Sequence, residues 1–405
     1  MRLEPYRRVL ARPGVRSLLG VALWARMPAV AAPITLTLHV VLDLDRGYAA
    51  AGLISAAVTV GAAVGAPVLG RLIDRRGLRL TLVVTTAAEA VFWVVAPHLA
   101  YPLLLVAATL AGLLALPAFS VVRQSLAALV PAEQRRQAYA LDSMSVEISF
   151  MVGPAAAVLL VTATSARVAM LAIGAGYVLA GAALFLLNPP TRGDDEPVVA
   201  GRPIPRREWL RPRLVVVLAV AAATTLVLAG TDVAVIAALR GVGQVEWTGL
   251  VLAMWGACSL AGGFVYGVAS RSVTPLTLVA LLSLFTIPVG LFGGQWWWLA
   301  LALVPAGALC APSLAAAAEA VARLVPAGAR GEAMGWHNSA MTAGLAIGAP
   351  LAGAVIDASA PAWGFAAIGA AGALVVLAAL PVSRRTRREP VADHTLPATA
   401  AAATR

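Results

Sequence analysis

Four charged side chains stand inside long apolar stretches of this sequence, away from their cytoplasmic ends: Arg26, Glu89, Glu147 and Asp232. A charge in such surroundings is costly, and is kept where it pairs, meets water or handles an ion. Arg26 cannot give up its charge, so it needs an acid or an anion. Glu147 can take up and release a proton as its burial and its charged neighbours change. Arg26, Glu89 and Glu147 each lie about ten to twelve residues into their stretch, all counted from the same side. At 1.5 Å per residue they sit roughly 15–18 Å deep, near the middle of a bilayer, and the shared depth permits pairing. Asp232 lies near the opposite surface, as an outer gate or as a solvated acid. His337 titrates in a range suited to coupling. No His/Cys cluster has metal-ligand spacing and no Gly-rich loop could cradle phosphate. The sequence therefore predicts no metal, no cofactor and no enzyme chemistry, and any work must draw on a gradient.

The elements that position these residues follow from composition. Of 405 residues, 60% are hydrophobic and 12% charged. A soluble domain carries about 25% charged residues, so this chain could not cover a water-exposed surface. A membrane-crossing helix needs roughly 20 mainly apolar residues. Such stretches fall at about 15–41, 50–70, 79–97, 102–126, 137–161 and 167–187, and again at about 213–238, 247–269, 274–292, 296–322, 332–356 and 361–381. The first is too long for a cleavable signal peptide, and a second follows almost at once. A polar linker at 189–212 carries Gly193-Asp194-Asp195-Glu196 and Arg206-Arg207, and a polar, Ala-rich tail at 383–405 is expected to be disordered. Cys258 and Cys310 lie in apolar stretches and read as small buried hydrophobes.

The net charge of +11 comes from Arg alone, with no Lys. Placing the N-terminus in the cytoplasm puts 26 of the 30 Arg in cytoplasmic segments. The basic balance is then an orientation signal and calls for no nucleic-acid partner. Trp247, Trp296, Trp297, Trp298 and Trp363 gather at the opposite ends, as an aromatic belt does.

The chain also repeats itself. Leu129-Val130-Pro131-Ala132 recurs as Leu324-Val325-Pro326-Ala327, and Pro117 recurs as Pro312, both at a shift of 195. Leu80-Thr81-Leu82-Val83 recurs as Leu276-Thr277-Leu278-Val279 and Pro154 as Pro350, at 196. The reading is an all-α membrane protein with twelve spans in two six-helix halves, residues 1–188 and 213–382, with both termini inside. Two similar bundles can rock about a site between them, which opens it to one side at a time.

Between the second and third spans stands Gly70-Arg71-Leu72-Ile73-Asp74-Arg75-Arg76-Gly77-Leu78-Arg79. With twelve spans and a two-fold repeat around it, this segment resembles the loop signature of the major facilitator superfamily. Gly70 allows close helix approach, Gly77 a turn with positive φ, and Asp74 can cap a helix or pair with Arg75 or Arg79. The resemblance implies that Gly70, Asp74, Arg75, Gly77 and Arg79 latch the two halves together, with Arg123 and Asp142 joining the same cytoplasmic network. It also implies that spans one and five line the central cavity, which makes Arg26–Glu147 the preferred pair and leaves Glu89 further out. Gly153-Pro154 in span five resembles the kink element of the drug/proton antiporter branch. That branch carries an Arg inside span four; here the stretch 105–112 has none. The counterpart loop in the second half, Tyr266 to Arg271, lacks the acid.

The resulting expectation is a monomeric, multi-pass transporter of the plasma membrane, of the bacterial inner-membrane type. It would export a small hydrophobic or amphipathic molecule in exchange for protons, with lipid its other partner. Uptake or facilitated diffusion of a metabolite, and a non-transporting receptor or assembly protein on the same scaffold, are the alternatives.

Overall fold

The computed structural model describes residues 4–193, 204–269 and 273–388. Within them the chain forms only helices and connecting turns. A short α1 (Glu4–Leu10) precedes the first half: α2 (Val15–Leu42), α3 (Tyr48–Arg76), α4 (Leu78–Val95), α5 (Tyr101–Leu113), α6 (Ala118–Leu129), α7 (Arg135–Ala163) and α8 (Ala166–Leu187). A one-turn α9 (Arg206–Trp209) leads into the second half: α10 (Pro212–Gly241), α11 (Thr248–Val268), α12 (Pro275–Thr286), α13 (Trp296–Leu324), α14 (Arg330–Ala358) and α15 (Pro361–Arg388). Twelve stretches among the described residues are long and apolar enough to cross a membrane, with α5 and α6 together forming the fourth. The continuous backbone bonding of these helices is what a lipid environment demands.

The repeat is visible in backbone angles. Pro131 (φ −57°, ψ 155°) and Pro326 (φ −63°, ψ 152°) turn the chain alike after spans four and ten. Each is followed by a short 3₁₀ turn and a helix of 29 residues, α7 or α14. Those helices end on Thr164 (ψ −92°) and Ser359 (ψ −92°), again 195 residues apart.

One expected helix is interrupted. The stretch 102–126 reads as a single span, yet it breaks between Leu113 and Ala118, whereas α13 in the second half runs through the matching Pro312. A polar partner supports the break. The backbone N–H of Leu116 donates to Glu89 Oε1 at 3.4 Å, and the Trp93 indole donates to Glu89 Oε2 at 2.9 Å. A Pro inside a helix removes one amide bond and strains the turn before it, and Glu89 accepts from the strained turn. Glu89 is buried, so it supports span four from α4 and lines no central space.

The last helix continues through Arg388, beyond the apolar run that ends near 381, and residues 389–405 of the expected disordered tail lie outside the described residues. Asp194, Asp195 and Glu196 of the linker, and Ser270 and Arg271 of the second-half loop, also lie outside them.

Within each half the helices pack as a bundle, α2 on α7 and α8, α3 on α5, α10 on α14 and α15, α11 on α13. The halves meet where α3 crosses α14 and where α7 lies against α11 and α13. At the α3–α14 crossing Gly70 lies on the backbone of Gly331, and Gly335 lies on that of Ala66 and Pro67. A Cβ at Gly331 would come within 2.6 Å of the Gly70 carbonyl. Small residues here let two backbones touch, which is how helices gain contact when both are bathed in equally apolar lipid.

Candidate functional site

Four polar sites lie along the seam between the halves. At the end that carries the 188–212 linker, Asp74 leaves the last turn of α3 and meets the first turn of α14. Its Oδ1 accepts from Gly331 N at 3.0 Å and its Oδ2 from Glu332 N at 2.8 Å. These are orphan amides of a helix N-terminus, where a carboxylate is favoured by both hydrogen bonding and the helix dipole. Gln124 of α6 adds a third donor at 3.1 Å. Arg192 donates to the Asp74 carbonyl at 3.0 Å, and Glu332 faces Arg206 at 2.6 Å and Arg71 at 3.7 Å. The two ends of the linker are thus tied to the same junction. Gly77, with φ +89°, turns the chain into α4. Neither Arg75 nor Arg79 pairs with Asp74: Arg75 points outward, and Arg79 lies over the Phe185 ring, 5.1 Å from its centre.

Alongside α1, the Tyr6 hydroxyl donates to Phe264 O at 2.7 Å, its ring stacks on Phe264 at 5.1 Å, and Arg136 donates to Ala269 O at 2.6 Å. Tyr6 and Arg136 belong to the first half and their acceptors to the second. Burial pushes the Tyr6 phenol up to about 12.

Deeper in the seam lies a fully buried charge cluster. Arg26 Nη2 donates to Asp142 Oδ1 at 2.6 Å, and Arg123 Nε donates to Asp142 Oδ2 at 3.2 Å. Arg123 Nη1 also reaches His337 Nδ1 at 3.3 Å and Met341 Sδ at 3.4 Å, both on α14. The expected Arg26–Glu147 pair is therefore corrected to Arg26–Asp142, and Arg123 and Asp142 join Arg26 rather than Asp74 and Arg75. The reason is helical geometry. Asp142 and Glu147 are five residues apart on α7, so their side chains diverge by about 140°. Side chains also lean toward the N-terminal end of their own helix. The long Arg26 side chain thus reaches back to the level of Asp142, one turn and more below Glu147.

Glu147 points elsewhere. It lines a cavity of about 520 Å³ enclosed by α7, α10, α11, α13 and α14. Ser259 of α11 donates to Glu147 Oε1 at 2.7 Å and accepts from Ala311 N of α13 at 3.1 Å. Asp232 of α10 lines the same cavity. Its other walls include Phe150, Met151, Pro154, Leu228, Leu252, Trp255 and Met341, and among the described residues no basic side chain faces it. The lining runs from Thr225 and Met341 at mid-span to Asp232 and Gly249, toward the end opposite the linker. Pro154 is part of the wall, α7 runs through it unbroken, and Gly153 behind it packs on Val30 of α2.

The cavity, the seam and the repeat describe two bundles with a polar site between them. The Major Facilitator Superfamily sequence profile matches residues 18–275 and 241–404. The chain belongs to the major facilitator superfamily. It is a multi-pass membrane protein and a secondary transporter, not an enzyme. Solved members share the fold at low identity. The human organic anion transporter MFSD10 (TETRAN) is 17% identical, with 92% of this chain and 100% of that chain covered and a TM-score of 0.70. A bacterial homologue of the iron transporter ferroportin, in an outward-facing state, is 15% identical over 93% of this chain and 100% of that one, with a TM-score of 0.72. The proton:xylose symporter XylE is 13% identical over 90% and 94%, with a TM-score of 0.67. No protein of curated function matches the sequence.

For a transporter of this superfamily the missed residues matter as much as the expected ones. Ser259, Gln124, Gly331 and Glu332 hold the polar sites together, and sequence reasoning passed over all four. Two carried a signal: Ser259 is a polar residue inside an apolar span, and Gly331 with Gly335 forms a small-xxx-small pair.

Proposed function

We propose that this chain exports a small hydrophobic cation across the plasma membrane in exchange for protons, with its linker end in the cytoplasm. The observation that carries the reading is the cavity with two carboxylates and no basic group. Glu147 and Asp232 stand in apolar and aromatic walls. An apolar cation would find hydrophobic contact with Leu228, Leu252 and Met151, an aromatic face at Trp255 or Phe150, and charge at the acids. A proton neutralises the same carboxylates, so proton and cation compete for one site. Each carboxylate is then loaded with one or the other when the bundles rock, and exchange follows from that competition. Ser259 orients Glu147 and links it to the backbone of α13, a helix that carries Pro305 and Pro312.

In this reading the linker end is closed by Asp74 on α14, and the cavity faces outward. Asp74, Gly70 and Gly77 act as the latch, with Arg192 and Arg206 strapping the linker across it. Twenty-six of 30 Arg on the linker side support a cytoplasmic placement.

Proteoliposomes with an acidic lumen test the proposal, with tetraphenylphosphonium as probe. Antiport predicts accumulation that collapses when the pH gradient is dissipated and is lost in Glu147→Gln. Accumulation driven only by an alkaline lumen would establish symport instead. Undiminished gradient-driven accumulation in Glu147→Gln would remove that residue from the coupling.

A further inference from the structure

We infer that the buried Arg26–Asp142–Arg123 cluster is a binding site for a small monovalent anion of the halide class. The charge count leads there. Arg26 and Arg123 are both permanently cationic, and one carboxylate, Asp142, lies between them. All three side chains are at most 1% exposed. The other acids near the seam are committed elsewhere, Glu147 to Ser259, Asp74 to the α14 amides, Glu332 to Arg71 and Arg206. The cluster therefore carries one positive charge in excess. A buried charge without a counter-charge costs several kcal/mol, which folded proteins avoid by pairing.

The hydrogen-bond ledger agrees. Arg26 Nε and Nη1, Arg123 Nη2 and His337 Nε2 are buried and have no partner among the described residues. The Phe119 ring lies over the Arg26 guanidinium at 4.9 Å, but it meets the flat face and leaves the N–H edges free. His337 accepts from Arg123 through Nδ1, so as a neutral ring it presents Nε2–H as a further donor. Several unpaired donors and one surplus charge define a site for an acceptor that carries a single negative charge. Burial narrows the class. Both guanidiniums and the carboxylate are at most 1% exposed, and the void of about 40 Å³ beside Phe119 is lined by none of the three. So confined a space suits a single-atom anion rather than sulfate, phosphate or an organic acid.

The site spans the seam, because His337 and Met341 belong to α14 and the rest to α2, α6 and α7. A halide held there favours the arrangement in which α6 lies against α14, the one closed at the linker end. It is a separate site from the acidic cavity, whose floor residue Met341 covers Arg123, and it does not depend on what that cavity carries.

Thermal unfolding of the purified full chain tests this, with chloride exchanged for gluconate at constant ionic strength. The expected result is a saturable rise in Tm with chloride and with bromide, absent in gluconate, because a ligand of the folded state stabilises it. Arg26→Gln removes the surplus charge and should raise the half-saturating chloride at least ten-fold, whereas Asp142→Asn, which adds to the surplus, should lower it. Equal Tm in chloride and gluconate, or an unchanged chloride response in Arg26→Gln, overturns the proposal. If neither variant folds, crystals of the unaltered protein soaked in bromide decide it. An anomalous peak within hydrogen-bond reach of Arg26 and Arg123 supports the site, and its absence at saturating bromide overturns it.

Discussion

Replacing Asp74 with Ala removes a carboxylate that accepts from Gly331 N, Glu332 N and Gln124 Nε2 at 2.8–3.1 Å. All three donors then lose their partner, and two of them belong to the other half of the molecule. A hydrogen bond to a charged group contributes about 1.5–3 kcal/mol, and an N-cap substitution costs about 0.5–2 kcal/mol. Water regains the more exposed donor once the junction parts, so the net loss is ~3 kcal/mol for the arrangement closed at the linker end. The two bonds to α14 cannot exist when α3 and α14 separate there, while the Gln124 bond lies within the first half and is lost from both arrangements alike. A two-state ratio then moves about 150-fold. Asp74→Asn keeps one acceptor oxygen and should move it about ten-fold. Electron–electron distance measurement between spin labels at Arg76 and Arg323, both exposed and on opposite halves, reads the change directly. Cys258→Ala removes the accessible native thiol, and Cys310 is buried. The unaltered protein should give one short distance, Asp74→Asn a mixture and Asp74→Ala mainly the long one. If folded Asp74→Ala keeps the short distance alone, the latch reasoning is refuted and Asp74 serves only to cap α14.

Other outcomes follow from the same geometry. Gly331→Ala drives a Cβ to within 2.6 Å of the Gly70 carbonyl and against the Asp74 carboxylate; at about 1–3 kcal/mol of overpacking it should shift the same label pair toward the long distance. Ser259→Ala leaves Glu147 in the cavity without its donor, so transport of tetraphenylphosphonium should keep its direction but change its pH profile, and an unchanged profile would show that Ser259 has no part in coupling. Trp93→Phe deletes the indole donor to Glu89 and should lower stability by about 1–3 kcal/mol, seen as a lower Tm with little change in transport. The Tyr6 phenol is raised by burial from 10.0 to about 12. Folding therefore favours its protonated form, and the stability it lends is complete below pH 10 and fades as pH climbs toward 12. Hydrogen exchange of α1 should quicken over that window in the unaltered protein, and Tyr6→Phe should flatten the dependence.

How far the sequence reaches can be judged span by span. Twelve apolar stretches, a shift of 195 and a Gly–Asp–Gly loop were enough for an all-α, two-fold membrane bundle, because lipid permits so few backbone solutions. Composition alone carries that constraint, and each segment obeys it separately. Span four marks the limit: its hydropathy is that of one helix, while the break at Leu114–Pro117 depends on Glu89, some 25 residues away in the chain.

The buried charges divide the same way. That Arg26, Glu89 and Glu147 sit in costly surroundings is legible from their neighbours in sequence, whereas Asp142 reads as part of the cytoplasmic network. Which of them meet is not, since depth along a helix is one coordinate and direction around it is another. Two acids five residues apart on α7 share a depth to within about 8 Å and still face different partners, Asp142 the two guanidiniums and Glu147 the Ser259 hydroxyl. The partner of Asp74 is no basic residue of its own loop but the amide donors at the start of α14, 257 residues away. Such donors are backbone, identical for every sequence, so only the packing of one half on the other could reveal them. The amino-acid sequence by itself determined the membrane, the two halves and the short list of charged residues. The tertiary structure decided the pairings, because they depend on helix rotation and on contacts between halves that no local pattern encodes.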